Sequence, residues 1–108
     1  MQKTDYQDKI RKLAKSRKLE WKKHALKRLL ERGITRQAVF NALNKCEIIE
    51  SYIKDNPLPS FLLLGYDGAE PLHILVALDE ENDLLWVITV YKPTSDEWEN
   101  EFKTRRNR

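Results

Sequence analysis

The sequence predicts an α+β fold in one domain: N-terminal helices packed on a four-stranded, mainly antiparallel sheet, with a short C-terminal helix. Three observations lead there. The apolar period is 3.6 in the first part of the chain and changes to 2 after Asn44. Breakers at 56–59, 67–68 and 79–83 cut the second part into strand-sized pieces. Finally, 108 residues at 41% hydrophobic and 34% charged suit a single core with little left over for another.

The elements follow in order. Residues 5–18 read as a charged helix with a thin stripe of Tyr6, Ile10, Leu13 and Ala14. A second helix is expected over 21–32, with Leu26, Leu29 and Leu30 inward and Gly33 as its stop. Thr35 suits the N-cap of a third helix reaching about Asn44, with Ala38, Val39, Ala42 and Leu43 inward. Strands are expected at 47–54, 60–66, 71–78 and 84–91. Ser95 would cap a last helix through Phe102, and the basic tail 103–108 reads as frayed. The domain reading is a basic helical extension at 1–20, a folded unit at 21–102, and that tail.

The net charge of +3 is unevenly spread. Residues 1–36 carry thirteen Lys and Arg against four acids, whereas 37–108 carry seven against thirteen. A basic half beside an acidic half points to a polyanion-facing surface, with a merely solubilising helix face as the plain alternative. One cysteine excludes an internal disulfide and a thiolate metal site. No apolar run approaches the roughly 18 residues of a membrane span, and the first residues show no secretory pattern. The expectation is a cytoplasmic protein. Two histidines without companion ligands argue against zinc, and no glycine-rich loop is available for a nucleoside triphosphate. No cofactor is expected. Cys46 reads as a buried structural thiol and Trp98 as a core plug.

Two groups of side chains have the makings of a site. If Leu78 faces Leu84 across the acidic turn, His73 lies opposite Thr89, with Tyr91 diagonal to it on the same face. The other face, with Leu72, Ile74, Val76 and Leu78 beside Leu84, Trp86, Ile88 and Val90, is then wholly apolar. His, Thr and Tyr at one end of a sheet can line a concave site, although such residues are also ordinary on half-exposed sheets. On the second helix, His24, Arg28 and Arg32 recur every four residues, with Glu31 placed to pair with Arg28. Imidazole beside guanidinium suits a phosphate: the guanidinium grips oxygens and the imidazole moves a proton. The same spacing also describes a solvated helix face.

The run His24-Ala25-Leu26-Lys27-Arg28-Leu29-Leu30-Glu31-Arg32-Gly33-Ile34-Thr35, followed by Val39 and Ala42-Leu43, resembles the opening of the domain of unknown function 4258 family. Glu47-Ile48-Ile49-Glu50-Ser51-Tyr52, Pro71-Leu72-His73-Ile74, and Val87-Ile88-Thr89-Val90-Tyr91-Lys92-Pro93 with Trp98 extend the resemblance over about 21–102. That family is similar to the RelE/HigB-like toxins of bacterial toxin–antitoxin pairs. The resemblance implies a RelE-like sheet flanked by helices, metal-independent cleavage of RNA, including ribosome-bound messenger RNA, and an antitoxin partner, often a small zinc-finger and helix-turn-helix protein. Residues 2–18 lie outside it.

The expected chemistry is attack of a ribose 2′-OH on the adjacent phosphate, which needs a base, an acid and cations. His73 is expected as base or acid, His24 as its complement, Arg28 and Arg32 as the stabilisers of phosphate charge, and Tyr91 as a hydrogen-bond donor to a phosphate oxygen or an aid in orienting the base. Arg32, Lys27 and Thr89 are expected to help bind RNA. The acidic segments 79–83 and 96–101 should then lie away from the substrate. A non-catalytic RNA- or DNA-binding module and a protein-only interaction domain are the rival classes.

Overall fold

In the computed structural model, which describes residues 2–107, the chain opens with helix α1 (Lys3–Lys15). Its stripe of Ile10, Leu13 and Ala14 is buried, with Tyr6 packed on the ring of Phe61 at 4.9 Å. The basic extension is therefore part of the same core as the rest of the chain. Gln7 and Arg11 fasten it further: Ile48 N donates to the Gln7 side chain at 2.8 Å, and Arg11 Nε donates to the Cys46 carbonyl at 2.7 Å.

Arg17, in the left-handed region at φ 56°, ends α1 and turns the chain into strand β1 (Leu19–Trp21). The sequence reading has no strand there, because three residues are too few to display a period. Tertiary pairing makes it one: β1 lies parallel to β5, with Leu19 beside Leu85 and Trp21 beside Val87. Helix α2 (Lys23–Arg32) then ends at Gly33, φ 65°, whose left-handed conformation lets Ile34 N reach the Leu29 carbonyl at 3.0 Å. Helix α3 (Arg36–Asn44) starts at the expected cap, where Thr35 Oγ1 accepts from Ala38 N at 3.0 Å.

Strands β2 (Glu47–Tyr52), β3 (Ser60–Asp67), β4 (Glu70–Asp79) and β5 (Leu84–Tyr91) form an antiparallel meander. With β1 added, the sheet has five strands in the order β1-β5-β4-β3-β2 and is mixed, correcting the expected four. The class is α+β. No helix among the described residues is long and apolar enough to cross a membrane.

All three helices lie on one face of the sheet. Phe61, Leu63, Leu72, Ile74, Val76, Leu78, Leu85, Val87 and Val90 share the core with residues of the helices. Helix α3 comes so close to β3 that a Cβ on Gly65 would stand 2.0 Å from the Ala42 carbonyl oxygen. Only glycine permits that approach.

Two packing expectations are corrected. Leu30 is 86% exposed; the inward stripe of α2 is Ala25 and Leu29 with Leu26 half-buried, and Arg32 lies on its continuation. On β5 the buried residues are Leu85, Val87 and Val90, not Leu84, Trp86 and Ile88. The turn pairs Asp79 with Leu84 and Leu78 with Leu85, one residue off the assumed register. A one-residue slip exchanges the faces of a strand. An irregularity at Ile88 then changes the parity again: Val76 pairs with Val87, but Leu75 pairs with Thr89.

The last expected helix is also absent. Residues 98–105 form a small hairpin, β6 (Trp98–Glu99) and β7 (Thr104–Arg105), closed by Asn100, Glu101 and Phe102 at φ 53°, 55° and 68°. Left-handed backbone at three successive residues cannot continue a right-handed helix. The tail is accordingly folded through Arg105 rather than frayed, and Arg106 N donates to the Glu97 carbonyl at 2.8 Å.

Candidate functional site on the open sheet face

The helices do not cover the second face of the sheet: residues 55–58, between β2 and β3, border it beside Ser60, Ala77, Trp86 and Ile88, and the C-terminal hairpin crosses its end. There His73 is fully buried. Its neighbour across the strand is Tyr91, not Thr89, because of the irregularity in β5. Trp98 meets the imidazole edge-on, with ring centroids 4.3 Å apart and planes at 90°. The ring nitrogens are both engaged: Nε2 with the Phe102 carbonyl at 2.8 Å and Nδ1 with the Tyr91 hydroxyl at 3.0 Å. A carbonyl only accepts, so Nε2 carries the proton. In the neutral ring Nδ1 is then the acceptor, and the Tyr91 hydroxyl donates to it.

This network explains why the hairpin lies where it does. His73 ties β4 to a left-handed carbonyl of the turn, and the hairpin in return shields His73 from water. Burial holds the imidazole below its ordinary pKa, outweighing the Phe102 hydrogen bond and the Glu50 charge that favour protonation. His73, expected as base or acid, has both ring nitrogens occupied.

Beside it the hairpin delivers Arg105 to Glu50 of β2. The guanidinium donates from Nε to Oε2 at 2.8 Å and from Nη2 to Oε1 at 3.0 Å, a two-pronged pair. Tyr52, two residues along the same strand and hence on the same face, donates its hydroxyl to Glu50 Oε1. Arg105 also lies over the Trp98 ring, 4.7 Å from its centroid. Burial raises the Glu50 carboxyl, but the Arg105 and Tyr52 hydrogen bonds and the Arg105 charge prevail and hold it below its ordinary range. The Glu50 hydrogen bond first, then burial, pushes the Tyr52 phenol up; burial does the same for Tyr91. At neutral pH the site therefore holds a carboxylate, a guanidinium and two protonated phenols.

Of these groups, Tyr52, Tyr91 and Arg105 line a cleft of about 260 Å³ together with Asp55, Leu62 and Thr89, among others. Asp55, Ser60 and Leu75 also line a second hollow of about 200 Å³, which reaches Trp86, Ile88 and Lys22. Lys22 stands 4.5 Å over the Trp86 ring there. The two hollows make a trough along the open face, with a cation and an aromatic at each end.

The structure divides the residues singled out from sequence. His73, Thr89 and Tyr91 meet at this face. His24, Lys27 and Arg28 are exposed on α2, which packs on the other face, so they do not join them. Arg28 pairs with Glu31 at 2.9 Å, as their spacing predicts. Arg32 donates from Nη1 to the Val90 carbonyl at 2.6 Å and so braces α2 against β5. The segment 96–101, expected away from the site, forms part of the hairpin over it. Its acidic character is partly offset by Arg106, which reaches Glu99 at 3.4 Å.

Glu50, Tyr52 and Arg105 escaped the sequence reading. The two on β2 had a signal, an acid and a phenol at strand spacing. Arg105 had none, because only the fold carries the tail back to β2. Among the described residues no group of His, Cys, Asp and Glu is placed to hold a metal ion.

No curated protein and no solved structure matches the chain. The family described as Domain of unknown function (DUF4258) matches residues 21–92, from the last residue of β1 to just past β5. That span contains His73, Tyr91, Glu50 and Tyr52, and it excludes α1 and the hairpin that carries Arg105. With two thirds of its length matched, the chain belongs to the DUF4258 family.

Proposed function

We propose that this chain is a metal-independent endoribonuclease acting as the toxin of a toxin–antitoxin pair, with its reaction centre on the open sheet face. The observation that supports it is the Glu50–Arg105 pair, whose Arg105 lines a solvent-open trough together with Tyr52 and Tyr91. A phosphate diester entering the cleft competes with Glu50 for the Arg105 fork. Once the guanidinium moves to the phosphate, Glu50 loses the partner that lowers its pKa and becomes a better base.

In this reading Glu50 takes the proton of the 2′-OH as that oxygen attacks the adjacent phosphorus. Arg105 and Tyr52 stabilise the charge that develops on the phosphoryl oxygens. The P–O5′ bond breaks as the Tyr91 hydroxyl turns from His73 Nδ1 to the departing oxygen and gives it its proton, leaving a 2′,3′-cyclic phosphate and a 5′-hydroxyl. Solvent returns the proton from Glu50 to Tyr91. His73 positions Tyr91 and the hairpin without touching substrate, and Thr89 lines the cleft beside Tyr91. This departs from the assignment of proton transfer to His73 and His24. Lys27, Arg28 and His24 remain as a cationic face of α2 for RNA or for the antitoxin. An acidic or amphipathic antitoxin segment fits that surface, with complementary charge raising the association rate.

A second reading, a non-catalytic nucleic-acid module, is favoured by the distance between the α2 cations and the open face and by the engagement of both His73 nitrogens. One experiment separates them. Purified protein is incubated with single-stranded RNA and with translating ribosomes, and the product ends are analysed. Cyclic-phosphate ends are expected, with cleavage reduced roughly 100-fold or more in Glu50→Gln and Arg105→Ala. Binding without new ends would support the module, and no RNA binding at low salt would support a protein-only domain. Growth inhibition relieved by co-expression of a neighbouring open reading frame, with a stable complex, is expected if the toxin assignment holds.

A further inference from the structure

On the helical side, away from the trough, α1 and α3 border a recess of about 420 Å³ lined by Lys15, Arg17, Gln37, Phe40, Asn41 and Asn44, among others. One wall comes from α1, which precedes the family match, and the other from α3 within it. Lys15 and Arg17 are exposed, and neither takes part in an ion pair among the described residues. Their charge is uncommitted.

Arg17 is held over the Phe40 ring, 4.2 Å from its centroid. Phe40 meets Trp21 edge-on at 6.2 Å, and Arg36 flanks Trp21 at 5.9 Å. A guanidinium backed by an aromatic ring can stack its free side on a base while its N–H edge grips a phosphate. Side-chain amides line the same recess. Gln37 Nε2 donates to Asn41 Oδ1 at 2.9 Å, and Asn41 Nδ2 donates to Asp67 at 2.8 Å. These bonds orient two amides and engage the Asp67 carboxylate. Asn44 and the Gln37 carbonyl keep free hydrogen-bonding capacity towards a base edge.

We propose that this groove is a second binding site, for single-stranded RNA, seating one unstacked nucleotide with its base on Arg17 and its phosphate on Lys15 and Arg17. An acidic peptide would need only the charges; the stacked guanidinium and the row of amides are what a base uses. The site does not depend on cleavage at the open face.

The test is fluorescence anisotropy of a labelled eight-nucleotide single-stranded RNA with the full chain. Lys15→Glu/Arg17→Glu, checked for a native circular dichroism spectrum, should weaken binding about tenfold or more, and the log–log salt slope should fall by about 0.7 for the one lost phosphate. Arg17→Lys, which keeps the charge but not the planar stack, should show an intermediate loss. Affinity within twofold of wild type in the double variant would overturn the proposal. So would poly-glutamate displacing the protein as well as unlabelled RNA does. If no cleavage occurs yet the double variant loses RNA, the nuclease reading fails and this site stands; cleavage together with full binding by the double variant gives the reverse.

Discussion

Replacing His73 separates a structural clamp from a chemical group. His73→Ala leaves the Phe102 carbonyl and the Tyr91 hydroxyl without a partner and removes the edge-on contact with Trp98. An unsatisfied buried polar group costs about 1–3 kcal/mol and a lost aromatic pair about 0.5–1.5 kcal/mol, so a net loss of about 3 kcal/mol is expected. Urea unfolding followed by tryptophan fluorescence reads this directly. With a slope of about 1.5 kcal/mol/M, the midpoint should fall by roughly 2 M. His73→Phe, which keeps the ring but not the bonds, should lose less.

The same residue predicts the response to acid. Its folded pKa is depressed, so below the ordinary value of 6.5 the unfolded chain binds a proton that the folded one does not. Stability should therefore be fullest above that value and decline as pH falls from it towards the folded pKa. This part of the decline should vanish in His73→Phe. A His73→Phe protein as stable as wild type, with the same acid response but no RNA cleavage, would refute the clamp and restore a chemical role.

Three further outcomes follow from packing. Gly65→Ala drives a methyl to 2.0 Å from the Ala42 carbonyl and should cost about 3 kcal/mol or prevent folding, read by the same unfolding curve or by loss of soluble protein. Cys46 is buried, and burial pushes its thiol up to about 11, so at about pH 8 iodoacetamide should label it in urea but not in the native protein, as mass spectrometry would show. Thr35→Ala removes the cap bond to Ala38 N and should cost about 1 kcal/mol in thermal or urea unfolding, with no effect on RNA binding at the open face.

Much of this chain is legible without a structure because it is locally encoded. The stop at Gly33 and the cap at Thr35 depend on backbone preferences of single residues and their neighbours, and both are where the sequence puts them. The four long strands carry a period of 2 between clear breakers, and all four form. Three-residue β1 exists only because β5 offers it an edge. The face of each β5 residue rests on a one-residue choice at the turn and an irregularity at Ile88, neither of which leaves a mark in apolar spacing. The candidate site divides in the same way. His73 and Tyr91 come together through a hairpin that the sequence already announces. Arg105 reaches Glu50, 55 positions away, through three left-handed residues and a buried imidazole that pins their carbonyl. A contact of that range has no local signature: the sequence supplies a carboxylate and a guanidinium, and only the closed fold brings them into hydrogen-bonding distance.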